Sequence, residues 1–192
     1  NDDMNCYRLE SQNENQYRYK EQLLDFDTTT YEVKISDGTV EKFEIRSSIH
    51  GPVMNDLLGT ITDNEPVSLD WVYTKRDNHL LEALYRIAHA KSMKGFKKGA
   101  SMIHAPGLNV MYGDASDNIA WWASAKLYRI KSGASTLQIM DGSNGLDDQY
   151  EWLDFSENPM AENPSWNYVY SANNQPDSIG GDLYPGYYLA ED

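Results

Sequence analysis

The stretch Asn109-Val110-Met111-Tyr112-Gly113-Asp114-Ala115-Ser116-Asp117-Asn118-Ile119-Ala120-Trp121-Trp122-Ala123 carries the reading of the fold. Leu108 to Tyr112 reads as a strand that runs into a turn-rich segment, Asp114 to Asn118. Ile119, Trp121, Ala123, Ala125 and Leu127 then alternate on one face, with Trp122 and Tyr128 on the other. Both faces are apolar, so this returning strand is expected to be covered on both sides.

Two helices are expected before it. Leu80, Leu84 and Ile87 lie on one stripe with Leu81 and Ala88 beside it, Asp77 or Asn78 can cap, and Glu82 faces Arg86 one turn on. Met93, Phe96, Ala100 and Ile103 form a second stripe after a cap at Ser92, weakened by Gly95 and Gly99 and stopped by Pro106-Gly107. Toward the N-terminus, Tyr17, Tyr19, Leu23, Leu24 and Phe26 suggest short strands. Tyr31, Val33 and Ile35 alternate up to the Asp37-Gly38 turn, and Phe43 and Ile45 alternate on the return. Pairing Val33 with Phe43 and Tyr31 with Ile45 makes one face apolar, which predicts a bulge or a longer loop near Gly38. The strand ends in the turn Ser48-Ile49-His50-Gly51-Pro52-Val53, and residues 55–66 read as loop. Residues 131–165 read as a long irregular connection, Trp166 to Ala172 as a further strand, and Tyr184 to Tyr188 as a loop. Strands, two helices, then strands give an α+β class with antiparallel sheets around a helical pair.

Composition limits function. Thirty acidic against sixteen basic side chains in 192 residues give a formal charge of −14. That argues against a nucleic-acid binder, which needs a basic face, and it disfavours an anionic membrane surface. No apolar run approaches the ~18–20 residues that cross a bilayer. Cys6 is the single cysteine, so there is no internal disulfide and no cysteine zinc cluster. The chain lacks an initiator Met and begins in a strand-like stretch, without the basic and apolar segments of a signal peptide. It stops at Ala190-Glu191-Asp192, in what reads as the start of a helix, so it is expected to be part of a longer polypeptide.

Three segments, in this order, resemble the penicillin acylase (penicillin amidase) family of N-terminal-nucleophile hydrolases. The first is Asn1-Asp2-Asp3-Met4-Asn5-Cys6-Tyr7, followed by the hairpin and the turn Ile49-His50-Gly51-Pro52-Val53. The second is Asn109-Val110-Met111-Tyr112-Gly113-Asp114 through Asn118-Ile119-Ala120. The third is Asn163-Pro164 followed by Tyr168-Val169-Tyr170-Ser171-Ala172-Asn173-Asn174-Gln175-Pro176. The departures are Gly113 where the family usually has Ala, a Gly missing beside Asn118, and Trp166-Asn167 replacing the Gly before the last strand.

The resemblance implies a self-processing amidohydrolase with an αββα sandwich. Residues 1–192 would be one fragment of its large (beta) subunit, without the nucleophile-bearing N-terminus. In such enzymes the N-terminal Ser attacks an amide carbonyl, with its own α-amino group as base, because that amine titrates near neutral pH. The developing oxyanion needs donors already aimed at it. The resemblance places one on a backbone N–H upstream of this chain and the other on the side-chain amide of Asn173, with Asn174 structural. An Arg expected after the Gly-Tyr-Tyr stretch would fall past Asp192. The chain alone is therefore expected to be inactive. Its partners would be the small subunit and upstream strands of its own precursor, and its substrate a small acyl amide: a penicillin, a cephalosporin or a related N-acyl compound such as an acyl-homoserine lactone. No organic cofactor is implied. The resemblance also implies a structural calcium ion held by Asp2, the Met4 carbonyl, Asn5 and Asp182, although Asn5 keeps an oxygen and loses a charge where the family has Asp. A periplasmic or secreted location is likewise implied.

Other constellations are weaker. His50, His79, His89 and His104 have no mutual metal-ligand spacing, and Lys91, Lys94, Lys97 and Lys98 read as the polar face of the second helix. Gly180-Gly181 lacks the Lys-Ser/Thr of a phosphate loop. Trp121, Trp122, Trp152 and Trp166, with the tyrosines at 184–188, offer a rival reading, a carbohydrate- or ligand-binding β-module without catalysis.

Overall fold

Short alternating runs make short strands, and the chain begins with β1 (Met4–Arg8), β2 (Glu10–Asn13), β3 (Gln16–Tyr19) and β4 (Gln22–Asp25). The ribbon β5 (Asp27–Lys34) and β6 (Val40–Ser48) follows, then β7 (Gly51–Pro52), a helical turn α1 (Asn55–Leu58) and β8 (Val67–Trp71). Next come α2 (Val72–Lys75), α3 (Leu80–Ala88), α4 (Met93–Ala100), β9 (Leu108–Gly113) and β10 (Ile119–Ser124). β11 (Tyr128–Arg129), β12 (Met140–Asp141), β13 (Glu151–Trp152) and β14 (Met160–Glu162) are short. The computed structural model describes residues 4–59, 65–129, 138–148 and 151–171. They divide into two compact units, residues 4–71 with 138–148 and residues 72–129 with 151–171. The expected α+β class is the one found.

The first unit contains the sheets β2-β3-β4, β5-β6-β7 and β12-β1-β8. β1 pairs antiparallel with β8 but parallel with β12, a departure from the all-antiparallel expectation. Its apolar core gathers Leu9, Tyr17, Phe26 and Val53, with Tyr19 and Leu24 against them. In the ribbon, Tyr31 opposes Phe43, with stacked rings 6.0 Å apart, and Val33 opposes Glu41. The expected partners are therefore slid by two residues. The longer loop does exist: Ile35 N–H donates to the Thr39 carbonyl, and the Asp37 carboxylate accepts from both the Thr39 N–H and its hydroxyl. A slide of two keeps Tyr31, Val33, Phe43 and Ile45 on one face. β8 adds a strand not expected above, although Val67, Leu69 and Trp71 alternate with Ser68 and Asp70 at the period of a strand.

In the second unit β10 lies between β14 and β9, antiparallel to both, and Trp121 and Trp122 are both buried, as a strand covered on two sides requires. Ala100, Ala120 and Trp122 form the core here, with Ile87, Met93, Phe96, Val110, Tyr112, Phe155 and Met160 packed around them. Ser92 caps α4 by accepting from Gly95 N–H, and Glu82 and Arg86 form their ion pair at 2.7 Å. The stripe of α3 is rotated from the expected one: Ala83 is buried, Ile87 packs inward, and Leu84 and Leu81 are exposed. Gly99 is the reason. A Cβ there would lie 2.8 Å from Ile87 Cγ1 and 3.2 Å from the Ala83 carbonyl oxygen, so the two helices meet at their smallest residues. The glycine that weakens α4 by propensity is what lets α3 approach it.

Two strand expectations fail. The strand from Ile119 ends at Ser124 instead of continuing through Leu127, because Asn158 Nδ2 donates to the carbonyls of Ala123 and Ala125 where a neighbouring strand would have paired. Trp166 to Ser171 is irregular; Met160–Glu162, inside the stretch read as loop, is what pairs with β10. Among the described residues no helix is long and apolar enough to cross a membrane.

Candidate functional site

The hairpin β9–β10 uses nearly every polar member of its motif for architecture. Asp114 Oδ1 accepts from the backbone N–H groups of Ser116 and Asn118 and from Asn118 Nδ2, and Tyr112 donates its hydroxyl to Asp114 Oδ2 at 2.8 Å. These bonds hold the Asp114 carboxyl below the usual carboxylate range, the Tyr112 hydroxyl first and the Asn118 side chain next. Asn118 in turn accepts from Asn163 Nδ2, whose Oδ1 accepts the Ile119 N–H. Asn163 sits at φ 45°, a conformation Asn tolerates better than most residues. Asn109 Oδ1 accepts from Trp121 Nε1. The hairpin and β14 are thus laced together by side chains that alternation alone does not require.

The first unit buries a second kind of surface. β1 and β8 pair with Asn5 opposite Asp70 and Tyr7 opposite Ser68, and directly opposed residues share a face of the sheet. All four are buried. His50, from the turn after β6, stacks on Tyr7 at 4.1 Å, and its Nε2 lies 2.8 Å from Asp148 Oδ1. Tyr19 donates its hydroxyl to Asp148 Oδ2 at 2.5 Å, Tyr7 donates to the Asp147 carbonyl, and the hydroxyls of Ser48 and Ser68 share a hydrogen bond. Burial first, then the charges of Asp70, Asp148 and Asp147, push the Tyr7 phenol far up, so it stays neutral at any working pH. Gly51 seats the turn: at φ 133° a Cβ would lie 2.2 Å from the Leu69 carbonyl oxygen. The His50–Asp148 pair joins residues 98 apart, which no local spacing announces.

A family model described as penicillin amidase matches residues 1–191. The chain belongs to the penicillin amidase family. An acyl-homoserine lactone acylase, QuiP, of Pseudomonas fluorescens is 26% identical over 134 residues, which is 68% of this chain and 16% of that protein. Among solved structures, a thermostable penicillin G acylase from Alcaligenes faecalis aligns with a TM-score of 0.82 and 19% identity, over 98% of this chain and 34% of that one. At that identity the likeness shows the fold alone, shared with that penicillin G acylase. The chain spans well under half of either relative.

Of the residues to which the family resemblance gives a role, Asn173, Asp2 and Asp182 lie outside the described residues, as does Asn174. Met4 and Asn5 are adjacent on β1, Met4 with its side chain exposed and Asn5 buried. Asn5 lies directly opposite Asp70 of β8, so the two side chains share a face of the sheet. Among the described residues no group of three or more His, Cys, Asp or Glu is placed to hold a metal ion.

The remaining constellations are structural. His79 and His104 come within 6.3 Å edge-to-face, and His104 Nδ1 lies 3.1 Å from the Asp77 carbonyl. Burial chiefly, with the charges of Lys126, Arg76 and His79, pushes His104 below its ordinary value despite the Asp77 bond. Lys97 of the basic run pairs with Glu162 at 2.7 Å, on the oxygen that also accepts Trp122 Nε1. Trp122 and Trp121 are core, and Trp152 is flanked by the Arg76 guanidinium and the Tyr128 ring. The sugar-stacking alternative thereby loses most of its tryptophans; Trp166 alone of the four stays 40% exposed.

Proposed function

We propose that this chain is the middle of the large subunit of a self-processing amidohydrolase that cleaves an acyl amide through an N-terminal serine. The observation that carries the reading is the family match across residues 1–191, with the motif residues of β9–β10 in place. The serine, upstream of Asn1, attacks the acyl carbon while its α-amine takes the hydroxyl proton. Asn173 donates its side-chain N–H to the developing oxyanion; an amide keeps this donor at any working pH. The amine product leaves, and water releases the acid from the acyl-enzyme. The substrate class is the N-acyl amides: penicillins, cephalosporins and acyl-homoserine lactones, the last suggested by the QuiP likeness. The chain by itself would lack a nucleophile and be inactive. The protein would work in the periplasm or outside the cell.

A calcium ion, bound through the Met4 carbonyl and Asn5 with Asp2 and Asp182, is part of the proposal. Its role would be structural, and no catalytic step passes through it.

The test is the intact mass and N-terminal sequence of the full-length protein after expression. Two chains, the larger starting at Ser, are expected; a single uncut chain, or no nucleophile at a junction upstream of Asn1, rejects the mechanism. In the processed enzyme Asn173→Ala should lower kcat by about 10²–10³-fold with the melting temperature unchanged. Full activity in that variant would remove Asn173 from the oxyanion hole.

A further inference from the structure

We propose that Asn144 is a self-modification site, whose side-chain amide is converted by its own loop to aspartate and isoaspartate through a cyclic imide with Gly145. Asn-Gly occurs once in the chain. The chemistry needs a following peptide nitrogen that no side chain shields, which glycine provides. Here the turn itself demands glycine, because residue 145 sits at φ 72°. Leu146 N–H donates to Asn144 Oδ1 at 2.6 Å, which folds the side chain back over the Gly145 peptide, whose nitrogen must attack. That same N–H is already aimed at the oxygen that gains negative charge when Cγ becomes tetrahedral. Asn144 Nδ2, the group that leaves, is held by Asp141 Oδ2 at 2.6 Å. Lys20 N–H donates to the Ser143 carbonyl, and the Lys20 side chain passes over Gly145, where a Cβ would lie 2.5 Å from its Cε. A cation is thus set beside the nitrogen that loses its proton, and it favours that loss. Asn144 is exposed, so water reaches it.

The reaction balances with water alone. Solvent base takes the Gly145 amide proton as that nitrogen bonds to Asn144 Cγ. The Cγ–Nδ2 bond then breaks, and the amide nitrogen takes a proton and leaves as ammonia. Water opens the five-membered imide: cleavage at Cγ gives aspartate, and cleavage at the main-chain carbonyl gives isoaspartate, with one more carbon in the backbone. Either product adds a negative charge to a chain at −14 and removes the donor to Asp141, in a loop that also carries Asp147 and Asp148. Asp148 is the partner of His50 and Tyr19, so the modification should loosen that clasp. The competing explanation is that an ordered loop restrains the attack, which would make the folded protein react more slowly than a free peptide.

The experiment is peptide mass mapping of the full-length protein aged in mildly alkaline buffer, beside a synthetic peptide of residues 139–148 as the unstructured reference. Asn144 should gain about one dalton at least as fast in the protein as in the peptide, and Lys20→Gln should slow the reaction several-fold. A rate below that of the peptide overturns the assignment, because the loop would then protect Asn144. An unchanged rate in Lys20→Gln overturns it as well, since the dipeptide alone would account for the reactivity. Aged wild-type protein should melt lower than fresh protein, with Asn144→Gln unaffected by ageing; equal losses in the two overturn the link to the Asp148 clasp.

Discussion

The two compact units differ in the balance of what they bury. The second closes over Ala100, Ala120 and Trp122, with Trp122 Nε1 donating to the part-buried Glu162 that Lys97 pairs with, and with the buried Asn158 amide donating to the Ala123 and Ala125 carbonyls. The first has a modest apolar core and, on the face between β1 and β8, a layer of Asn5, Tyr7, Ser68 and Asp70 roofed by His50. An apolar core holds an element in place at little risk, since any side chain of similar volume serves. A polar layer must be satisfied atom by atom, so stability alone gives little reason to keep one. The contrast marks the first unit as the one whose interior is constrained by more than packing.

The largest effect should come from the apolar side of the comparison. Trp122→Ala removes the biggest buried side chain of the second unit and strips Glu162 of one donor. A loss of about 3–5 kcal/mol is expected by chemical denaturation; a loss near 1 would mean that the sheet collapses around the hole and that the core is looser than its packing indicates. Gly51→Ala probes the polar side through the backbone. With φ at 133° and the Leu69 carbonyl 2.2 Å from the new Cβ, β8 must shift or the turn must open. We expect about 2–4 kcal/mol, with the His50–Asp148 pair disturbed as a second readout in the histidine NMR signals.

The difference between the units also governs what could be read in advance. Trp121 and Trp122 announce a strand covered on both sides because period two and apolarity coincide. Gly99 looks like a weak point in a helix and is a contact, since propensity carries no information about a neighbouring helix. The alternation of Val67, Leu69 and Trp71 with Ser68 and Asp70 is that of a strand, but the letters do not say that the polar face is buried, because a buried polar residue has the same letter as an exposed one. The resemblance assigned roles to Met4 and Asn5, but Asp70 and the His50–Asp148 pair depend on register and on contacts 65 and 98 residues long, which alternation and spacing do not encode. The ribbon makes the same point on a small scale: its faces follow from parity, whereas its partners depend on the closure of the loop by Asp37 and Thr39.

A milder test separates burial from charge in the first unit. Arg46 grips Asp56 through its guanidinium, with Nη2 to Oδ1 at 2.6 Å, and through its backbone N–H. Burial pushes the Asp56 carboxyl up, but these hydrogen bonds outweigh it and hold the group below its ordinary value. A carboxyl depressed in the folded state contributes stability above its unfolded pKa of ~3.9 and loses it as pH falls through the folded value. Asp56→Asn should therefore cost about 1–2 kcal/mol at pH 6, and the gap from wild type should narrow as the solution is taken below pH ~4. A gap independent of pH would assign the loss to shape instead of charge.

The smallest effect is expected at Leu81, and its size is informative because it sits on the unit whose core is otherwise well defined. Leu81 is 85% exposed on α3, one turn before the exposed ring of Tyr85. A helix normally turns such residues inward, and here the close approach at Gly99 has given the inward position to Ala83 and Ile87. If solvent is what Leu81 meets, Leu81→Glu should change stability by no more than about 0.5 kcal/mol, measured by denaturation of the full-length protein. Glu in the first turn would even be favoured slightly by the helix dipole. A loss of 2 kcal/mol or more would show that another part of the polypeptide lies over α3, and the contrast between the apolar core of one unit and the polar layer of the other would have to be redrawn.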